Sequence, residues 1–92
     1  MIQALIHINV ARGKIPETAE TLVQITGVSE VYSVTGEYDL VALVRVKEYD
    51  DLAVVVTGKI ANIPAITRTT TMLAFKVYNK ADIEESFHIG VG

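Results

Sequence analysis

The stretch "IQALIHINV", residues 2–10, alternates without a break. Ile2, Ala4, Ile6, Ile8 and Val10 fall on one side of an extended chain, and Gln3, Leu5, His7 and Asn9 fall on the other. Successive side chains of a strand point to opposite faces, so this pattern predicts a β-strand with one buried face. Such a strand cannot stand alone. Its backbone groups need ladder partners, and its apolar side needs a cover.

A second segment, "DLVALVRV" at residues 39–46, obeys the same rule. Leu40, Ala42, Val44 and Val46 form one uniformly apolar set, opposite Asp39, Val41, Leu43 and Arg45. "VSEVYSVT" reads as a further strand just before it, with Gly36 and Glu37 turning the chain, which predicts a tight β-hairpin. "NIPAITRTTTMLAFKV" is a long β-branched strand near the end.

Two helical segments separate these strands. In "KIPETAETLVQITG", Pro16 suits a first helical turn and Glu17 and Glu20 favour a helix N-terminus. Ile15, Ala19, Leu22 and Val23 make its apolar stripe, and Gly27 can end it. In "KEYDDLAVVVTGKI", Asp50 and Asp51 mark the helix start, with Leu52, Val55, Val56 and Ile60 inward. Three consecutive valines are modest helix formers, so this helix rests on its flanks. "YNKADIEESFHIGVG" is a tail with room for a short helical turn.

The order is β-α-β-β-α-β. A weak internal repeat supports it, each half restarting on a short apolar run, "TGVSEV" and then "ANIPAI". The expectation is an α+β fold of the ferredoxin-like kind, a four-stranded antiparallel sheet with both helices on one face. With only two helices, the other face stays open. Leu5, Val41 and Leu43 make that face too apolar for free solvent, and another copy of the sheet is the expected cover. The reading is therefore at least a homodimer joined through its sheets, a dimeric α+β barrel.

Composition excludes several functions. The chain has 92 residues, enough for one domain, with no cysteine and hence no disulfide, thiolate metal site or cysteine nucleophile. Net charge is −3, and the basic residues are scattered, a poor footprint for nucleic acid. No apolar run approaches the roughly 20 residues of a membrane span, and "MIQALIHINV" lacks a signal-peptide pattern, so a cytoplasmic location is expected. No catalytic triad, phosphate loop or dinucleotide fingerprint appears, so the expectation is a non-enzyme without metal or cofactor.

Four features are candidate sites. Asp39 with Gly36 either caps the hairpin turn or offers a carboxylate and turn N–H groups to an amino-bearing ligand. The run "TRTTT", with Thr67, Thr69, Thr70 and Thr71, either suits an exposed strand or supplies hydroxyls for a carboxylate. His7, on the open face, is an interface histidine or a ligand contact. "EYDD" at 48–51 is a helix start, since nothing completes an acidic site.

This element order, with "VSEVYSVTGEYDLVALVRV" and a threonine strand after "NIPAI", resembles the effector-binding C-terminal domain of the Lrp/AsnC (feast/famine) transcription regulators, the RAM domain. The resemblance spans residues 1–78 and leaves 79–92 as a C-terminal tail. It implies dimers that face their sheets and assemble further, commonly into octameric rings. It implies amino-acid effectors bound between dimers, with Gly36, Glu37, Tyr38 and Asp39 at the hairpin and Thr69 and Thr71 on the last strand. Family members begin with a helix-turn-helix domain, whereas this sequence opens on a strand. A stand-alone domain is expected, without direct DNA contact, which senses an amino acid alone or joins a full-length Lrp/AsnC regulator.

Two other readings use the same strand order. One is an ACT-type regulatory domain, which would place its effector after the first strand, where "NVARGK" lacks a glycine–acid pair. The other is a small α+β-barrel monooxygenase or isomerase, which would need a His, Asn or Trp set inside each protomer. The sequence has no tryptophan.

Overall fold

The computed structural model describes residues 1–81. Its elements run β1 (Ile2–Val10), α1 (Ile15–Val23), β2 (Val28–Ser33), β3 (Leu40–Val46), α2 (Tyr49–Ala53) and β4 (Ile66–Ala74). A π-helical segment, Val54–Lys59, and a 3-10 turn, Ile60–Asn62, prolong α2. The strands form one sheet in the order β2-β3-β1-β4, every neighbouring pair antiparallel. The βαββαβ plan and α+β class are as expected. The tail reading at 79–92 lies largely outside the described residues.

The alternation of β1 and β3 places the core. Ala4, Ile6, Ile8, Leu40, Ala42 and Val44 are completely buried, and the register pairs Ile6 with Ala42 and Ile8 with Leu40. Paired residues of an antiparallel ladder share a face, so these strands stack their apolar sets under the helices. Leu22, Val55 and Ile60 close the core from the helical side. In α1 the buried line runs through Thr18 and Leu22, whereas Val23 is 49% exposed. The expected stripe therefore ends one residue too far round the helix.

Three local details differ from the sequence reading. The hairpin is not tight. β2 stops at Ser33, and residues 34–39 form a loop closed where the Val34 N–H donates to the Asp39 carbonyl at 3.0 Å. The last strand is shorter than expected and begins at Ile66, because Ile63 and Pro64 are spent in a turn. The second helix changes pitch at the valines. Val54, Val55 and Val56 crowd a regular α-helix through their branched Cβ atoms, and the Thr57 hydroxyl donates to the Ala53 carbonyl at 2.6 Å. The start of α2 does follow expectation, with Asp50 and Asp51 in its first turn and the Glu48 N–H donating to Asp51 Oδ2 at 3.3 Å.

Gly27, at the entry to β2, is fixed by two constraints. Its φ is +102°, and a Cβ there would meet Val55 Cγ2 at 3.0 Å and Val46 Cγ1 at 3.1 Å. Its carbonyl accepts the Arg45 N–H at 2.8 Å, so the entry to β2 is tied to the far end of β3. Gly27 does not end α1 as expected, since the helix stops at Val23 with Gln24 as its C-cap; the glycine instead lets the chain pass close to the second helical segment.

Candidate functional site

The site expected from sequence comprises Gly36, Glu37, Tyr38 and Asp39 in the hairpin and Thr69 and Thr71 on β4. β1 lies between these groups, since β3 pairs with one of its edges and β4 with the other. The hairpin nevertheless reaches β4. The Tyr38 side chain crosses β1, and its hydroxyl lies 3.0 Å from Thr70 Oγ1, 32 residues away in sequence.

Tyr38 is the centre of a small polar cluster. Its ring meets that of His7 edge-on, with centroids 5.0 Å apart. The Arg68 guanidinium lies over the same ring, 5.7 Å from its centroid, in a cation–π contact. The register explains the gathering. Thr70 pairs with His7 and Arg68 with Asn9, so Arg68, Thr70, His7 and Asn9 share the open face of the sheet. The sequence reading omitted Arg68. Period-two counting back from Thr70 would have placed it there.

Thr69 and Thr71 lie on the other face. They pair with Ile8 and Ile6, whose side chains are in the core, yet both threonines are exposed. The reason is topological. β4 is an edge strand, α1 packs mainly against β2 and β3, and among the described helical segments the 3-10 turn is the one that packs most against β4. Among the described residues Thr69 and Thr71 thus stay exposed at the sheet edge, while Tyr38 and Thr70 mark the opposite side of the same strand.

Asp39 has a definite task. Its N–H donates to the Ile8 carbonyl at 3.0 Å, and its Oδ2 accepts the Val10 N–H at 2.8 Å. The β1–β3 pairing ends at Ile8 and Leu40, so the carboxylate satisfies a β1 donor that lies past the last pair of that ladder. A carboxylate accepting a backbone N–H keeps further lone pairs, so this bond leaves capacity for a cation. Gly36 adopts φ +107° with open space around it, and Glu37 is exposed beside it in the loop.

The remaining open face is apolar. Leu5 pairs with Leu43 on one side and Met72 on the other, and His7 pairs with Val41. Leu5 is 36% exposed, Met72 45% and Tyr32 46%, with Val41 and Leu43 half-buried between them. No described helix covers this face, and no described helix is long and apolar enough to cross a membrane.

The comparisons with known proteins agree with this architecture. The sequence matches the family described as the Lrp/AsnC ligand binding domain over residues 3–82. It is 36% identical, over 77 residues, to the HTH-type transcriptional regulator FL11 of Pyrococcus abyssi, a match covering 84% of this chain and 50% of the regulator. The chain therefore spans about half the length of the curated relatives of this type that it matches. Among solved structures, the protein TTHA0845 from Thermus thermophilus superposes with a TM-score of 0.82 at 42% identity, covering 87% of this chain and 100% of that one. A feast or famine regulatory protein from M. tuberculosis, complexed with L-methionine, matches at a TM-score of 0.71 and 25% identity, over 87% of this chain and 54% of its own. With the βαββαβ sheet and the hairpin–β4 junction in place, the chain belongs to the Lrp/AsnC ligand binding domain family.

Proposed function

We propose that this chain is an amino-acid-responsive regulatory domain that pairs with a second copy through the open sheet face. The observation that carries the reading is the pairing of an uncovered apolar sheet with the hairpin–β4 junction. Leu5, Leu43 and Met72 form a continuous apolar row across three strands, which favours a self-complementary interface. Beside that row, a left-handed glycine turn and an acid with spare acceptor capacity lie at one end of the sheet, while the exposed Thr69 and Thr71 lie along the other face of β4, which supports a site shared with a neighbouring molecule.

An amino acid carries an ammonium and a carboxylate. The proposed roles are Asp39 for the ammonium, and the turn N–H groups around Gly36, Glu37 and Tyr38 with the Thr69 and Thr71 hydroxyls for the carboxylate. Because Thr69 and Thr71 lie at an exposed edge, a neighbouring dimer completes the pocket in this reading. Assembly beyond the dimer, into a ring such as an octamer, then follows from effector binding between dimers. The L-methionine complex of the mycobacterial relative supports an amino acid as the effector class.

The proposed output is modulation of transcription regulation, through a full-length Lrp/AsnC regulator or by the effector-loaded assembly itself, without catalysis and without direct DNA contact by these residues. The net charge of −3 and the scattered cations support the last point. A thermal-shift panel of the common amino acids tests the reading. At least one should raise Tm, since a ligand at about 100 times its dissociation constant adds about 2.7 kcal/mol. A panel with no stabiliser, together with a monomer in light scattering, would overturn it.

A further inference from the structure

The open sheet face carries an acid on one edge strand and a cation on the other. We infer that it meets a second copy with unlike edges together, β2 of one protomer over β4 of its partner, so that Glu30 and the partner's Arg68 form an ion pair twice across a two-fold axis. The inference rests on the sheet-to-sheet dimer proposed above and adds its orientation and the two residues that set it.

The register lays the face out in rows. Leu43 of β3 pairs with Glu30 of β2 and with Leu5 of β1, and Leu5 pairs with Met72 of β4. Two residues along, Val41 pairs with Tyr32 and with His7, and His7 pairs with Thr70. Beyond them, Asn9 pairs with Arg68. Glu30 and Tyr32 therefore mark one edge of the open face, and Arg68, Thr70 and Met72 mark the other. Neighbouring strands lie about 4.8 Å apart, so Glu30 and Arg68 stand about 14 Å or more from each other within a protomer. They are too far apart to pair there.

Printed contacts hold both charges to this face. The Arg68 guanidinium lies 5.7 Å from the centroid of the Tyr38 ring, and that ring meets His7 of β1. The cation is thus drawn inward from the edge strand. The Glu30 carboxylate accepts the Tyr32 hydroxyl, and both residues pair with open-face positions of β3. A carboxylate with one donor keeps further acceptor sites. The one ion pair among the described residues joins Lys14 to Glu17 and uses neither Glu30 nor Arg68.

Two sheets that face each other across a two-fold axis have two simple arrangements. An axis along the strands lays β2 over the partner's β4 and β3 over the partner's β1. Leu43 then faces the partner's Leu5, and each Arg68 comes to the edge strand that carries the partner's Glu30. An axis across the strands lays each strand over its own copy. Each Glu30 then faces a second β2 and each Arg68 a second β4, so neither charge finds its opposite. That arrangement offers Arg45 against Asp39 instead, the acid already proposed for the effector. Unlike edges favour the first arrangement, and unpaired charges disfavour the second.

The test is charge reversal followed by mixing. Glu30→Arg and Arg68→Glu, both at exposed positions, each set like charges against each other at both contacts of their own homodimer. Sedimentation equilibrium should show each of these dimers weakened at least tenfold. An equimolar mixture of the two variants should restore the dimer to within threefold of wild type, because both contacts of the mixed dimer join unlike charges. Arg45→Gln should leave the constant within threefold of wild type. Undiminished dimers of both reversed variants overturn the inference. So does a loss that mixing does not recover, or a loss in Arg45→Gln as large as in Arg68→Glu. If a reversed variant fails to fold, the wild-type dimer decides. It should weaken at least threefold between about 0.05 and 0.5 M sodium chloride, since salt screens the pairs, and a dimer that salt leaves unchanged or strengthens overturns the inference. A monomeric wild type removes the sheet-to-sheet dimer itself, whereas a wild-type dimer with unrestored mixtures removes only this orientation.

Discussion

The carboxylate of Asp39 accepts the backbone N–H of Val10 at 2.8 Å, and that bond joins the hairpin loop to the point where β1 loses register with β4. The acid at the mouth of an apolar strand is therefore part of the sheet's hydrogen bonding. Any ligand that used Asp39 would share it with Val10, so the proposed effector binding would be coupled to the geometry of β1.

Asp39→Ala should destabilise the fold by about 1–3 kcal/mol, because it leaves the part-buried Val10 donor without its acceptor. Asp39→Asn keeps an acceptor oxygen and should lose less than half of that. Urea unfolding measures both, and hydrogen exchange at the Val10 amide should accelerate in the alanine variant alone. Equal stability of the alanine variant and wild type would show that the bond contributes nothing.

The two left-handed glycines should respond differently to alanine. At Gly36 a Cβ meets open space, so Gly36→Ala should cost only the backbone term, about 1–2 kcal/mol. At Gly27 the same term is joined by overpacking against Val55 and Val46, a further ~1–3 kcal/mol. Denaturant midpoints of the two variants give the ordering, and a reversed order would contradict the packing described at Gly27.

Leu43→Glu should convert the proposed dimer to a monomer without unfolding it. The residue is half-buried on the open face, opposite Leu5, and a carboxylate there would face its own copy across a two-fold interface. Light scattering after size exclusion reports the mass. A wild-type monomer at micromolar concentration would remove the interface altogether.

Thr71→Val should abolish the thermal shift produced by whichever amino acid stabilises the wild type, since its hydroxyl is exposed at the β4 edge and valine is near-isosteric. Tyr38→Phe should behave differently. It removes the hydroxyl that meets Thr70 but leaves the ring contacts with His7 and Arg68, so folding stability should fall by about 0.5–1.5 kcal/mol. If Thr71→Val retains the full shift, the carboxylate is held elsewhere.

The amino-acid sequence by itself determined the four strands, their succession along the chain and which side of β1 and β3 is buried. Alternation in "IQALIHINV" and "DLVALVRV" is a local signal, and Ile6, Ile8, Leu40 and Ala42 are fully buried where that signal placed them. It also carried the family, because the hairpin and threonine motifs lie along the chain at readable spacing. Tertiary structure decided what depends on register between distant segments. Tyr38 meets Thr70 across β1, the Asp39 carboxylate finds the Val10 N–H, and Thr69 and Thr71 take the face opposite to Tyr38. Those contacts follow from how two strands slide against a third, which no local pattern fixes. The π-helical form of Val54–Lys59 was likewise not legible, because the modest helix propensity of three valines weakens an α-helix without specifying another pitch.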